Sequence, residues 1–287
     1  MNDGLNLRLK GVTKNYGGFS LQGLDLELPK GAIMGLVGSN GAGKTTTMRL
    51  CLGLAAPDSG SIQVLGREAA ALPPEAREQI GVVFDENSFH ESRTPIQMGR
   101  ILAGLYRTWD SALYRSLLER LELPADRKIQ DYSRGMKMKL AIAAALAHHP
   151  RLLLLDEPTS GLDPVVRGQI LDIFLEFIQD EENSILLSSH ITTDLARIAD
   201  YIVFMDKGRA VLSGETDRIL ENYGVLKGPA AQAAALASGD VIGLRTGPRG
   251  FDALVRDRRE AARRYPGLVV DPPSLDDILL YLTRGEQ

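Results

Sequence analysis

The sequence predicts an α/β fold, with a mostly parallel sheet, an inserted helical lobe and a small C-terminal α+β appendage. Three observations carry this prediction. A glycine-rich loop at 38–46 stands between an apolar strand and a helix. From residue 152 onward, short apolar runs alternate with helical segments, as in a parallel sheet covered by helices. After about residue 214 that alternation stops and the composition shifts.

Each element has its own signal. Leu5, Leu7 and Leu9 alternate with polar residues, and so do Leu24, Leu26 and Leu28, predicting two half-buried strands before the turn at Pro29-Lys30-Gly31. Residues 32–37 read as a buried strand, 45–54 as the helix after the loop, and 61–65 and 80–84 as further strands. Between 95 and about 129, Ile96, Ile101, Leu102, Leu105, Leu113, Leu117, Leu118 and Leu121 follow a helical pattern with no strand candidate among them. The helix 136–147, ended by His148-His149-Pro150, closes this lobe. Residues 152–155 are a fully apolar central strand. A helix follows from 164 to about 179, with Val166, Ile170, Ile173, Phe174 and Phe177 on one face. Strand 184–187, helix 192–199 and strands 201–205 and 210–212 complete the body. Beyond it, 224–237 is rich in Gly and Ala, and 240–245 and 268–270 are strand candidates. Phe251, Leu254, Val255, Ala262 and Tyr265 form a helical stripe, and Ser274 caps a last helix through 282. The expected division is a body at 1–214, with its helical lobe at about 95–148, and an appendage at 215–287.

Bulk properties narrow the function classes. A chain of 287 residues accommodates one large domain and a smaller one. Its 44% hydrophobic and 24% charged content is ordinary for a globular protein. A net charge of −4 argues against general nucleic-acid binding. The single cysteine, Cys51, cannot form an internal disulfide and reads as a buried small hydrophobe. Residues 1–14 are too polar for a signal peptide, and no run of 18 apolar residues could span a bilayer. A cytosolic chain is expected, serving any membrane through a partner.

The loop Gly38-Ser39-Asn40-Gly41-Ala42-Gly43-Lys44-Thr45-Thr46 fits the pattern G-x-x-x-x-G-K-[ST]. Its glycines let successive backbone N–H groups turn inward and leave room for an anion. A nucleoside triphosphate is the matching ligand. Lys44 would reach the β- and γ-phosphates, the Thr45 hydroxyl would ligate Mg²⁺, and the following helix aims its N-terminus at the phosphates. Downstream, the apolar strand 152–155 ends in Asp156 and Glu157. Asp156 suits a hydrated Mg²⁺, and Glu157 suits the orientation and deprotonation of an attacking water. The segment Pro158-Thr159-Ser160-Gly161-Leu162-Asp163 follows, then His190 at a strand end. Tyr132-Ser133-Arg134-Gly135-Met136 lies before the helix leading to the Asp156 strand.

In this order and context the segments resemble the nucleotide-binding subunit of ATP-binding-cassette (ABC) transporters, over roughly residues 5–215. The resemblance implies the P-loop NTPase fold in its ABC cassette form, with a mixed, mostly parallel sheet and an antiparallel N-terminal β-subdomain, together with ATP hydrolysis and ATP and Mg²⁺ as cofactors. It makes 38–46 the Walker A loop, Asp156 and Glu157 the end of the Walker B strand, 160–163 the D-loop and His190 the switch histidine. Residues 132–136 stand for the usual Leu-Ser-Gly-Gly-Gln signature, with Ser133 and Gly135 facing a γ-phosphate. Tyr16, in Asn15-Tyr16-Gly17-Gly18, takes the place of the aromatic residue that stacks on adenine; ordinary packing is its alternative. One position departs from the family. Where a glutamine usually touches Mg²⁺, this chain has Asp85, also a hard oxygen ligand but shorter and charged. Its alternative is to cap the turn after its strand, and Glu86 could substitute.

The family's active site is shared between two subunits, which implies a second nucleotide-binding subunit and integral membrane permease subunits as partners, with no nucleic acid. The expected location is cytoplasmic, peripheral on the inner face of the membrane. The run Val270-Asp271-Pro272-Pro273-Ser274-Leu275-Asp276-Asp277-Ile278 is similar to the ends of single-cassette subunits in bacterial exporters, although Pro-Ser before an acidic helix is also a plain cap. An exporter ATPase is therefore the leading expectation. The alternative is a soluble cassette ATPase acting on nucleic acid, ribosomes or cofactor assembly; tandem cassettes, a long coiled coil and zinc-binding cysteines, its usual marks, are missing from the sequence. A cassette that binds ATP without turnover is disfavoured by Lys44, Glu157 and His190. The arginines between 245 and 264 alternate with Asp252, Asp257 and Glu260 and read as a solvated face.

Overall fold

The computed structural model describes residues 4–84, 89–237, 239–248 and 250–284. β1 (Leu5–Asn15) and β2 (Ser20–Pro29) form an antiparallel hairpin. β3 (Ile33–Gly38) then enters a second sheet and leads through the glycine loop into α1 (Lys44–Cys51). β4 (Ser59–Val64) and β5 (Arg67–Glu68) return to the hairpin and complete a sheet of order β2-β1-β4-β5. After the short α2 (Pro74–Arg77) comes β6 (Ile80–Val83). The lobe contains α3 (Pro95–Ala103), α4 (Ser111–Arg120) and α5 (Arg134–Leu146). Thr94 and Gln97 form a reciprocal cap on α3, and Asp110 caps α4.

β7 (Leu152–Asp156), α6 (Pro164–Phe177), β8 (Ser184–Ser189), α7 (Thr192–Ile198), β9 (Tyr201–Asp206) and β10 (Arg209–Glu215) follow. The second sheet has the order β10-β9-β3-β8-β7-β6. Its pairings are parallel except for β10 against β9. Alternate residues of the central strands enter different cores. Leu153 and Leu155 of β7 face the side of the helical lobe, while Leu152 and Leu154 pack with β1 and β2. Both faces are covered, which explains why β7 reads as one unbroken apolar run. The parallel register places the C-terminal ends of β3, β7 and β8 side by side, with Asp156 opposite Ser188. In open parallel sheets, ligands bind beyond these carboxyl ends.

The C-terminal part holds α8 (Thr216–Asn222), β11 (Gly224–Gly228), β12 (Val241–Gly247), β13 (Gly250–Val255), α9 (Arg258–Arg264), β14 (Val269–Asp271) and α10 (Leu275–Arg284). Its antiparallel sheet has the order β12-β13-β11-β14. Leu275, Ile278 and Tyr281 of α10 are buried in the same core as Leu195 and Ile198 of α7. Ser274 Oγ accepts from Asp277 N at 3.1 Å, so the predicted cap is present.

Two C-terminal expectations are corrected. Phe251, Leu254 and Val255 belong to strand β13, not to a helix, and Ala262 is exposed. The spacing fits a helical turn, but β11 and β12 flank the segment and supply both of its hydrogen-bonding ladders. Within the Gly- and Ala-rich stretch, β11 is a strand that the composition concealed.

Candidate functional site at the phosphate loop

The loop after β3 is built where side chains have no room. A Cβ on Gly38 would lie 2.3 Å from the Met205 carbonyl oxygen, and one on Gly43 would lie 2.9 Å from Phe19 Cζ. Gly43 also has φ 110, in the left-handed region, as it turns the chain into α1. Ala42 fastens the loop, its N–H donating to Ser39 O at 3.1 Å and its carbonyl accepting from Gly208 N at 3.1 Å. Thr47 Oγ1 donates to Gly43 O at 3.0 Å. Lys44 is buried, and its Nζ donates to Gly38 O at 2.7 Å.

The end of β7 supplies the facing wall. Asp156 is buried and both of its carboxylate oxygens are engaged: Oδ2 accepts from Thr45 Oγ1 at 2.7 Å, and Oδ1 from Ser188 Oγ at 2.5 Å. Glu157 has φ 53, an unusual conformation for a non-glycine residue. Its N–H donates to Ser188 O at 3.2 Å and to Ser188 Oγ at 3.1 Å. Its carboxylate accepts from His190 Nδ1–H at 2.6 Å and stands 3.5 Å from Lys44 Nζ. That hydrogen bond places the Nδ1 proton of His190 toward Glu157.

Ser39 to Thr46, Asp156, Glu157 and Phe19 line a cleft of about 340 Å³. Gly38 borders it through the Lys44 contact, and His190 reaches it through Glu157. Two Cβ-intolerant glycines and a buried ammonium fit a polyphosphate, while the Thr45 hydroxyl and the Asp156 carboxylate are the hard oxygens a divalent cation prefers.

Other expected site residues lie elsewhere. Tyr16 is half exposed on the β1–β2 turn, and its N–H donates to Phe19 O at 2.9 Å. Phe19, rather than Tyr16, supplies the aromatic wall of the cleft. Ser133 caps α5, accepting from Met136 N at 3.2 Å, and neither it nor Gly135 lines the cleft. Asp85 and Glu86 lie outside the described residues. Phe19 and Ser188 are the contributors that sequence reasoning missed. Their signals were a second aromatic just past Tyr16 and a Ser-Ser pair ending an apolar strand.

This fold and cleft define a P-loop nucleotide-binding cassette. A family model described as ABC transporter matches residues 21–160. The chain is 32% identical to the Nod factor export ATP-binding protein I of Rhizobium sp. (strain N33), an alignment covering 97% of each chain. It is also 32% identical to the daunorubicin/doxorubicin resistance ATP-binding protein DrrA of Streptomyces peucetius, over 96% of this chain and 92% of that relative. A solved ATP-binding subunit of an ABC transporter matches with a TM-score of 0.68 and 30% identity, covering 74% of this chain and 91% of the other. The chain belongs to the ABC transporter family, as an ATP-binding subunit. Among the described residues, no helix is long and apolar enough to cross a membrane.

Proposed function

We propose that this chain hydrolyses ATP with Mg²⁺ and that closure of two such cassettes drives export through separate membrane subunits. The observation that best supports hydrolysis is the Glu157 carboxylate, held between Lys44 Nζ at 3.5 Å and His190 Nδ1 at 2.6 Å at the cleft wall. In this reading the backbone N–H groups of 39–46 and the Lys44 ammonium bind the phosphates. Thr45 and Asp156 hold the cation, with Ser188 fixing the carboxylate. Glu157 accepts a proton from the attacking water, and His190 orients Glu157. MgATP, when bound, supplies the transferable γ-phosphoryl group and the metal charge that offsets it.

Tyr16 serves adenine from the turn that also carries Phe19. Ser133 and Gly135 act on the nucleotide held by a second subunit, in keeping with their position outside this chain's own cleft. Residues 1–214 form the cassette and 215–287 the appendage. The relatives named for Nod factor export and drug resistance match nearly the whole chain, which supports an exporter subunit; its place at the inner membrane face follows from the proposed membrane partners. Phosphate release from ATP by the purified chain, with and without Mg²⁺, tests the reading. Release should require the metal and disappear in Glu157→Gln; metal-independent release, or a fully active variant, would overturn it.

A further inference from the structure

Asp194 is a buried carboxylate, 4% exposed, outside the phosphate cleft. Burying such a group costs free energy unless it is paired. Its hydrogen-bonding partner is not on its own helix: Thr159 Oγ1, itself 1% exposed, donates to Asp194 Oδ2 at 2.7 Å. Arg167 Nε of α6 stands 3.8 Å from the same oxygen, and Arg167 Nη2 reaches Leu162 O at 3.4 Å. Thus Thr159 and Leu162, both in the turn that follows Glu157, are held by one buried cluster.

We propose that Asp194 is a positioning residue for the Glu157–His190 pair, a role that rests on the hydrolytic reading above. α7 starts two residues after His190, and Asp194 lies in its first turn, with its N–H donating to Ile191 O at 3.2 Å. Following the contacts gives a closed ring. Glu157 runs through the chain to Thr159, Thr159 bonds Asp194, α7 runs back to His190, and His190 bonds Glu157. The Thr159–Asp194 bond therefore braces the far side of the 2.6 Å contact between His190 and Glu157. Leu162 extends the brace toward the signature segment, since a Cβ on Gly135 would lie 3.0 Å from Leu162 Cδ2. Through this turn, the placement of Glu157 is tied to the surface that carries Gly135.

The test compares Thr159→Val, Thr159→Ser, Asp194→Ala and the double variant Thr159→Val/Asp194→Ala in the full chain, measuring kcat and KM for ATP. Misplacing a catalytic group by about 1 Å can cost about 10²-fold, so a loosened brace should lower kcat at least about tenfold with KM within about twofold. Thr159→Ser keeps the hydroxyl and should restore turnover. The double variant should be no slower than the slower single variant, because both remove one bond. Wild-type kcat in Thr159→Val, a loss that Thr159→Ser fails to recover, or a KM rise matching the fall in kcat would overturn the proposal. If Thr159→Val does not fold, Asp194→Ala decides; failure of both to fold would assign the pair to stability instead. Glu157→Gln separates the two levels. Full turnover in it would sink the hydrolytic reading, whereas an inactive Glu157→Gln beside a fully active Thr159→Val would sink only the role of Asp194.

Discussion

The hydroxyl of Thr45 donates to Asp156 Oδ2 at 2.7 Å, joining the start of α1 to the end of β7 across 111 residues of sequence. Ser188 holds the other carboxylate oxygen, so Asp156 is fixed from both sides. A hydroxyl and an oriented carboxylate at this spot are a ready pair for a hydrated hard cation. Asp156→Asn keeps the shape and removes the charge. It should raise the Mg²⁺ concentration for half-maximal ATPase activity by about tenfold or more. A Mg²⁺ titration superimposable on that of the wild type would remove Asp156 from the metal site.

The neighbouring carboxylate should behave differently. Glu157→Gln leaves every phosphate donor of the loop intact and removes the proton acceptor. Turnover should fall by about 10²- to 10⁴-fold, the usual worth of a positioned base, while ATP affinity stays close to wild type. Fluorescent-nucleotide titration and phosphate release report the two quantities separately. A parallel loss of both would point to collapse of the cleft rather than to missing base chemistry.

These two sites differ in how far the sequence revealed them. The phosphate loop is legible because its chemistry is local: consecutive residues turn one strand into one helix. Asp156 and Glu157 are legible as the polar end of an apolar strand. Of their partners, His190 is legible only through the family resemblance and Ser188 is not, because both become neighbours of the β7 end only through the parallel pairing of β7 with β8. The Glu157–His190 bond spans 33 positions, and no periodicity encodes it. The error at β13 has a related cause. Phe251, Leu254 and Val255 fit a helical spacing, and only the flanking strands β11 and β12 make extended backbone the better-bonded choice.

The proposed sharing of the active site between two cassettes makes a prediction that one chain alone cannot satisfy. Lys44→Ala removes the buried ammonium of the loop, and in the proposed role as a phosphate contact its loss should weaken ATP binding about tenfold or more. Ser133→Arg lies outside the cleft and should leave binding intact while blocking hydrolysis by filling the docking space of a second subunit. Mixing the two variants under conditions that form mixed dimers should give one site in two with both Lys44 and Ser133 intact. The readout is ATPase activity against mixing ratio. A flat line at zero, with mixed dimers shown to be present, would argue that Ser133 does not serve a partner's nucleotide.

Cys51 gives a test of packing behind α1. It is fully buried between the two β-sheets, and burial pushes its thiol up to about 12. Thiolate, the reactive form, is therefore scarce at neutral pH, and reagent access is blocked as well. A thiol-specific reagent should label no cysteine in the native chain and one per chain in denaturant. Rapid native labelling would show that α1 separates readily from the sheets beneath it.

His148 connects pH to stability at the edge of the helical lobe. Its ring is buried, stacked on Tyr106 at a centroid distance of 4.2 Å, and its Nδ1–H donates to Glu78 O at 2.9 Å. Burial holds the imidazole below its ordinary value, despite the hydrogen bond to Glu78 that opposes the shift. The unfolded chain takes up a proton near pH 6.5, whereas the folded chain resists it until lower pH. Below about pH 6.5 the unfolded state therefore binds more protons, and folding stability falls as the solution is acidified through this window. Above it both states carry a neutral ring, and His148 adds no pH dependence. His148→Gln removes the titration and retains a hydrogen-bond donor, so its melting temperature should fall less steeply than that of the wild type between about pH 7 and pH 5. Parallel melting curves across that range would show that His148 protonates as readily in the folded chain as in the unfolded one.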